Sequence, residues 1–202
     1  MELTTFIFNT VMTVVYIFFA QRILDRMRLT DLQAMAVLLI ALVGTFIDIP
    51  LIRNGITVTL NPGGLMLLAI AVYVTLKADT LWEKLRVLFT ALGTAVGMYY
   101  LPLAFPSEPG LDLLYLNGVI AGLIAYLLGR SRRAAFAGAV FAVFLLDLLD
   151  FTHLVRYGAF AWWSVGGAGL FDSMVVAGFT GALIAEVIGE IRERWSQRRV
   201  LE

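Results

Sequence analysis

Long apolar stretches recur along this chain, and its charges are confined to the short segments between them. Crossing roughly 30 Å of hydrocarbon takes about 20 consecutive apolar residues in a helix, and at least five stretches approach that length. They are too many and too long to be the core helices of a soluble domain. Composition agrees: 60% of the 202 residues are hydrophobic, only 15% are charged, and mean hydropathy is +0.88, against about a quarter charged in a soluble domain. The expectation is an all-α polytopic transmembrane bundle. It forms a single transmembrane domain over residues 1–202, with about seven spans at 4–21, 32–52, 62–76, 86–103, 112–129, 134–150 and 165–190. The first stretch follows Met1-Glu2 with no basic segment and no small-residue cleavage pattern before Gln21-Arg22, so it reads as a span rather than a removed signal.

The loops carry the topology. Arg22, Arg26, Arg28, Lys77, Lys84, Arg86, Arg130, Arg132, Arg133, Arg192, Arg194, Arg198 and Arg199 fall on one side of the predicted spans, and only Arg53 and Arg156 fall on the other. The positive-inside rule then predicts a multi-pass protein of the cytoplasmic (plasma) membrane with its N-terminus outside and its C-terminus in the cytoplasm. Tyr99, Tyr100, Tyr157, Trp162 and Trp163 collect on the outer side, as an interfacial aromatic belt requires.

Small residues at four-residue spacing predict close helix approach: Gly93 and Gly97; Gly118 and Gly122; Ala134, Gly138 and Ala142; Ala177, Gly181, Ala185 and Gly189. Such stripes serve packing within one monomer or a homo-oligomer interface. Arg53-Asn54-Gly55 followed by Ile56-Thr57-Val58-Thr59-Leu60 joins a turn signal to period-two alternation and predicts a short outer hairpin at 51–60. Asn61-Pro62-Gly63-Gly64 reads as a helix cap, a first-turn proline and a glycine entrance. Asp48 precedes Gly63-Gly64 by nearly the interval that separates Asp150 from Gly166-Gly167. The echo suggests a 3+1+3 parallel repeat in which each acid ends one helix and each glycine pair opens the next.

Zero formal net charge leaves no field to attract nucleic acid, and the absence of cysteine excludes disulfides and thiolate sites. With one histidine, His153, any metal chemistry falls to carboxylates and carbonyls; no cofactor is indicated and the metal stays open. The chemistry-bearing residues are the acids inside spans, since each costs at least about 2.5 kcal/mol to insert. Asp48, Asp147, Asp150 and Asp172 lie in the predicted outer half, and Glu186 shares a face with Asp172 or lies at the inner interface with Glu190 and Arg194. Asp147 and Asp150 share a face, which His153 joins if the helix continues. Near a membrane surface, Asp48 and Asp150 also read as interfacial helix caps, and Asn9, Thr13 and Tyr16 as an interhelical polar stripe.

Val165-Gly166-Gly167-Ala168-Gly169-Leu170-Phe171-Asp172, with Ile47-Asp48-Ile49-Pro50-Leu51, Asn61, Gly63-Gly64 and Asp147-Leu148-Leu149, resembles an uncharacterised prokaryotic polytopic membrane-protein family, domain of unknown function 1614. The likeness spans roughly 40–190 and implicates Asp147 and Asp172 without naming a reaction; Asp48 and Asp150 stand where that family carries Asn. Asp147 followed by Gly167-Ala168-Gly169 and Asp172 is also similar to presenilin-type intramembrane aspartyl proteases, in which two carboxylates share a proton as acid and base. Here two residues separate Gly169 from Asp172 where the protease motif has none.

The leading expectation is proton- or cation-coupled transport of a small solute, or ion conduction, through an acidic outward-side site. In it Asp147 and Asp172 bind the ion, Asp48, Asn61 and Asp150 assist, and Gly63, Gly64, Gly166, Gly167 and Gly169 form helix entrances. Proteolysis by Asp147 and Asp172 is the alternative, and a structural membrane subunit the third. The expected partners are the lipid bilayer and a small solute or cation.

Overall fold

The computed structural model describes residues 46–53, 56–104, 113–157, 162–165 and 173–200, together with helical positions Leu32, Ala36, Leu39, Ile40, Val43 and Gly44. The predicted span 4–21, much of span 32–52, the Asn9, Thr13 and Tyr16 stripe, and Gly166, Gly167, Gly169 and Asp172 lie outside the described residues.

The hairpin forms as its alternation predicts. Strand β1 (Ile49–Arg53) pairs antiparallel with β2 (Ile56–Leu60), and the register Arg53↔Ile56 leaves two residues for the turn. Beyond β2, Asn61 turns the chain into α1 (Pro62–Leu76), whose first position is the proline expected there. Helix α2 (Leu81–Ala104) starts five residues before the predicted span. Thr80 caps it, accepting from Glu83 N at 3.2 Å through Oγ1 and from Lys84 N at 3.3 Å through its carbonyl.

Helix α3 (Leu113–Gly129) and helix α4 (Arg132–Tyr157) are joined by a two-residue turn. Ser131 caps α4 by accepting from Ala134 N at 3.1 Å. Asp150 does not end a helix as predicted: after Gly138 neither proline nor glycine occurs before the end of α4 at Tyr157, and the leucines and Phe151 around Asp150 carry the helix through it. The predicted span 165–190 is also corrected. Trp162–Val165 forms strand β3, parallel to β2 in the register Thr57↔Trp162 to Leu60↔Val165, and helix α5 begins at Ser173. The chain is thus mostly helical with a three-stranded sheet in the order β1-β2-β3.

Two described helical segments, Arg132–Arg156 and Ser173–Trp195, are long and apolar enough to cross a membrane, with mean hydropathies of 2.0 and 1.7. The small-residue stripes meet inside the bundle. A Cβ added at Gly122 on α3 would lie 2.6 Å from Ala177 O and 2.8 Å from Gly181 N on α5, so these two backbones touch. Gly138 on α4 likewise receives Thr90 of α2, whose Cβ would be 2.8 Å from an added Cβ. Phe136, Val140, Met174, Val175 and Leu67 fill the remaining core.

Outward-facing positions are apolar too. Leu88, Leu92, Val96 and Tyr99 form an exposed stripe on α2, as Leu116, Val119, Leu123 and Leu127 do on α3.

Candidate functional site

One end of the bundle carries the sheet and most of the predicted site. Asn61 is wholly buried, and its carboxamide is used from both sides. Oδ1 accepts from Gly63 N at 2.9 Å and Gly64 N at 3.4 Å, capping α1, while Nδ2 donates to Asp48 Oδ1 at 3.1 Å. Gly44 is needed there for proximity. A Cβ at Gly44, in the helical residues before the hairpin, would lie 2.5 Å from Gly63 N, so the two segments meet with no room for a side chain at Gly44. Asp48 itself is exposed and leads directly into β1. It therefore closes the base of the hairpin by gripping the residue that ends β2 and starts α1.

The second half of the site is tied in through β3. Trp163 Nε1 donates to the Asp147 carbonyl at 3.0 Å, and the Trp163 ring lies against Phe151 at a centroid separation of 4.4 Å. Because β3 runs parallel to β2, the ends of both strands point the same way: Leu60 leads to Asn61 and α1, and its partner Val165 leads toward the segment before α5. Asp48, Asn61 and Asp147 are thereby brought to one end of the molecule by a single sheet. Ser164 Oγ, paired in register with Thr59, is buried there with no hydrogen-bond partner among the described residues.

Asp147 is half-buried, whereas Asp150 and His153, on the same continuous helix, are exposed. His153 lines a different feature, an apolar groove of about 500 Å³ between α2 and α4 with Leu92, Tyr99, Tyr100, Leu148 and Thr152. Among the described residues, no three acids or histidines gather closely enough to hold a metal ion. The Asp147–Asp172 pair on which proteolysis turns lies partly outside the described residues.

The opposite end is basic and ion-paired. Arg132 Nε meets Glu186 Oε2 at 2.5 Å, and Arg133 reaches Glu83 at 3.4 Å and Asp79 at 3.8 Å. These pairs join the starts of α2 and α4 to the later part of α5. Glu186 therefore belongs with the arginines at this end, with Arg132 as its partner. Sequence reasoning missed β3 and with it Trp163. The signal was the β-favouring Trp162-Trp163-Ser164-Val165 run, which is too short to display a period. No family model, curated protein or solved structure matches this chain.

Proposed function

We propose that the chain is a seven-span protein of the plasma membrane, N-terminus outside and C-terminus cytoplasmic, that binds a proton or cation at its sheet end and couples it to movement of a small solute. The observation that carries this reading is the parallel pairing of β2 with β3. It sets the ends of the two strands, Leu60 and Val165, side by side, at the end of the bundle remote from the arginine cluster. Helix entrances beside an acidic residue are what a transporter places around an ion, since the helix start supplies partial positive charge and the acid supplies the titrating or coordinating group.

Three further features support it. The outward faces of α2 from Leu88 to Tyr100 and of α3 from Leu116 to Leu128 are apolar, which suits lipid and would be costly in water. All the basic residues but Arg53 and Arg156 fall on one side of the predicted spans, which the positive-inside rule assigns to the cytoplasm. Ser164 Oγ and the Asp147 carboxylate offer oxygens at the sheet end, the donor type that hard cations prefer. Asp147 is the assigned ion-binding group, with Asp172 its expected partner from the opening of the last span, consistent with the resemblance carried by both residues.

The test is flux in proteoliposomes under an imposed pH or sodium gradient. The wild type is expected to carry ion-dependent flux that Asp147→Asn and Asp172→Asn each abolish while the protein remains folded. Flux unchanged in Asp172→Asn sinks the assigned site. Cleavage of a membrane substrate that each substitution stops would replace transport by proteolysis.

A further inference from the structure

At the end remote from the sheet, a cavity of about 400 Å³ opens between the α3–α4 turn and the later part of α5. Four arginines line it, Arg130, Arg132, Arg133 and Arg192, with Tyr126 and Ser131. Arg132 and Arg133 are already committed to Glu186 and Glu83. Arg130 and Arg192 are exposed and carry no ion pair among the described residues. Two carboxylates, Glu83 and Glu193, also line the cavity, so the arginines outnumber them.

Arg130 holds a second anomaly. It occupies the position just past α3 with φ of 50°, donating its N–H to Tyr126 O at 2.8 Å. That left-handed cap conformation is ordinarily filled by glycine, and a residue with a Cβ pays about 1 kcal/mol or more to adopt it. An arginine kept there at that cost sets a guanidinium at the cavity, and strain of this kind is concentrated at binding sites. Gly189 adds to the design: an added Cβ would lie 3.2 Å from the Arg132 guanidinium, so the missing side chain lets Arg132 cross α5 to Glu186.

We infer that this cavity is a phosphate-binding site, in which Arg130 and Arg192 supply the free charge and the paired Arg132 and Arg133 form a prearranged wall. Guanidinium groups match phosphate oxygens in geometry and charge, and basic pockets between helices at a membrane's cytoplasmic side are a recurring means of holding anionic headgroups. The phosphate has two sources, a phospholipid headgroup or a soluble phosphate ion. General attraction of a basic surface for anions is distinguished from a built site by where the charge is removed.

The experiment uses the full chain in nanodiscs of equal phosphatidylglycerol and phosphatidylcholine. Native mass spectrometry counts retained lipid, and thermal unfolding in detergent is followed with inorganic phosphate against chloride at equal ionic strength. The double variant Arg130→Gly with Arg192→Gln relieves the strained turn and alters one exposed side chain, so it folds. It is expected to lower phosphatidylglycerol retention by about tenfold, the loss of one charge-assisted contact or more. Arg86→Gln with Arg194→Gln removes equal charge from the same end outside the cavity and is expected to leave retention intact, while Glu193→Gln raises it. If lipid retention is unchanged but phosphate raises the unfolding temperature of the wild type and not of the cavity variant, the site stands and its ligand is soluble phosphate. Equal losses in the two double variants, or no preference for phosphatidylglycerol together with no response to phosphate, overturn the inference.

Discussion

Asn61 shows how one side chain settles two connections. Its oxygen caps α1 and its amide holds Asp48, so a truncation leaves a buried helix start without a partner. Asn61→Ala is expected to cost about 1–2 kcal/mol, read as a lowered unfolding temperature in detergent. Asn61→Asp keeps the capping oxygen but faces Asp48 with a second carboxylate, so it is expected to destabilise as well. Adding Asp48→Asn to it restores donor against acceptor and should recover most of the loss; no recovery would show that the Asp48–Asn61 bond contributes little. At Trp163, replacement by Phe keeps the contact with Phe151 and removes the bond to the Asp147 carbonyl. About 1 kcal/mol is the expected cost, with a drop in ion-dependent flux if that bond positions Asp147.

Helix packing here depends on side chains that are missing. Where Gly122 meets Ala177 and Gly181 the obstructing atoms belong to backbone, which cannot rotate away. Gly122→Ala is therefore expected to destabilise by about 1–3 kcal/mol, and Gly122→Leu to prevent the α3–α5 contact altogether. Gly93 meets only the end of the Leu128 side chain, so Gly93→Ala is expected to be milder in the same unfolding assay. The elements legible in the sequence were those with local signals. The cap, proline and glycine pair placed the start of α1, alternation and the Asn-Gly turn placed the hairpin, and four-residue spacing placed the packing faces. What escaped were features decided by distant contacts. Strand β3 exists through its pairing with β2, about a hundred residues earlier, and α4 runs past Asp150 because nothing local stops it. The Trp163–Asp147 bond follows from both and had no signal of its own.

At the scale of the whole molecule, the chain has two chemically opposite ends. The sheet, Asp48, Asn61 and Asp147 occupy one, and the arginines paired with Glu83 and Glu186 occupy the other, with apolar helix faces between. The proposed function puts the apolar faces in lipid and the arginine end in the cytoplasm, as the positive-inside rule assigns it. The 202-residue chain has no cysteine, so single cysteines report accessibility without background. Thr152 near the sheet and Lys77 beyond the end of α1 are both exposed and serve as the two positions. In intact cells a membrane-impermeant maleimide is expected to modify Thr152→Cys and spare Lys77→Cys, with both modified once the membrane is permeabilised. Equal modification of both in intact cells, or modification of Lys77→Cys alone, would contradict the account.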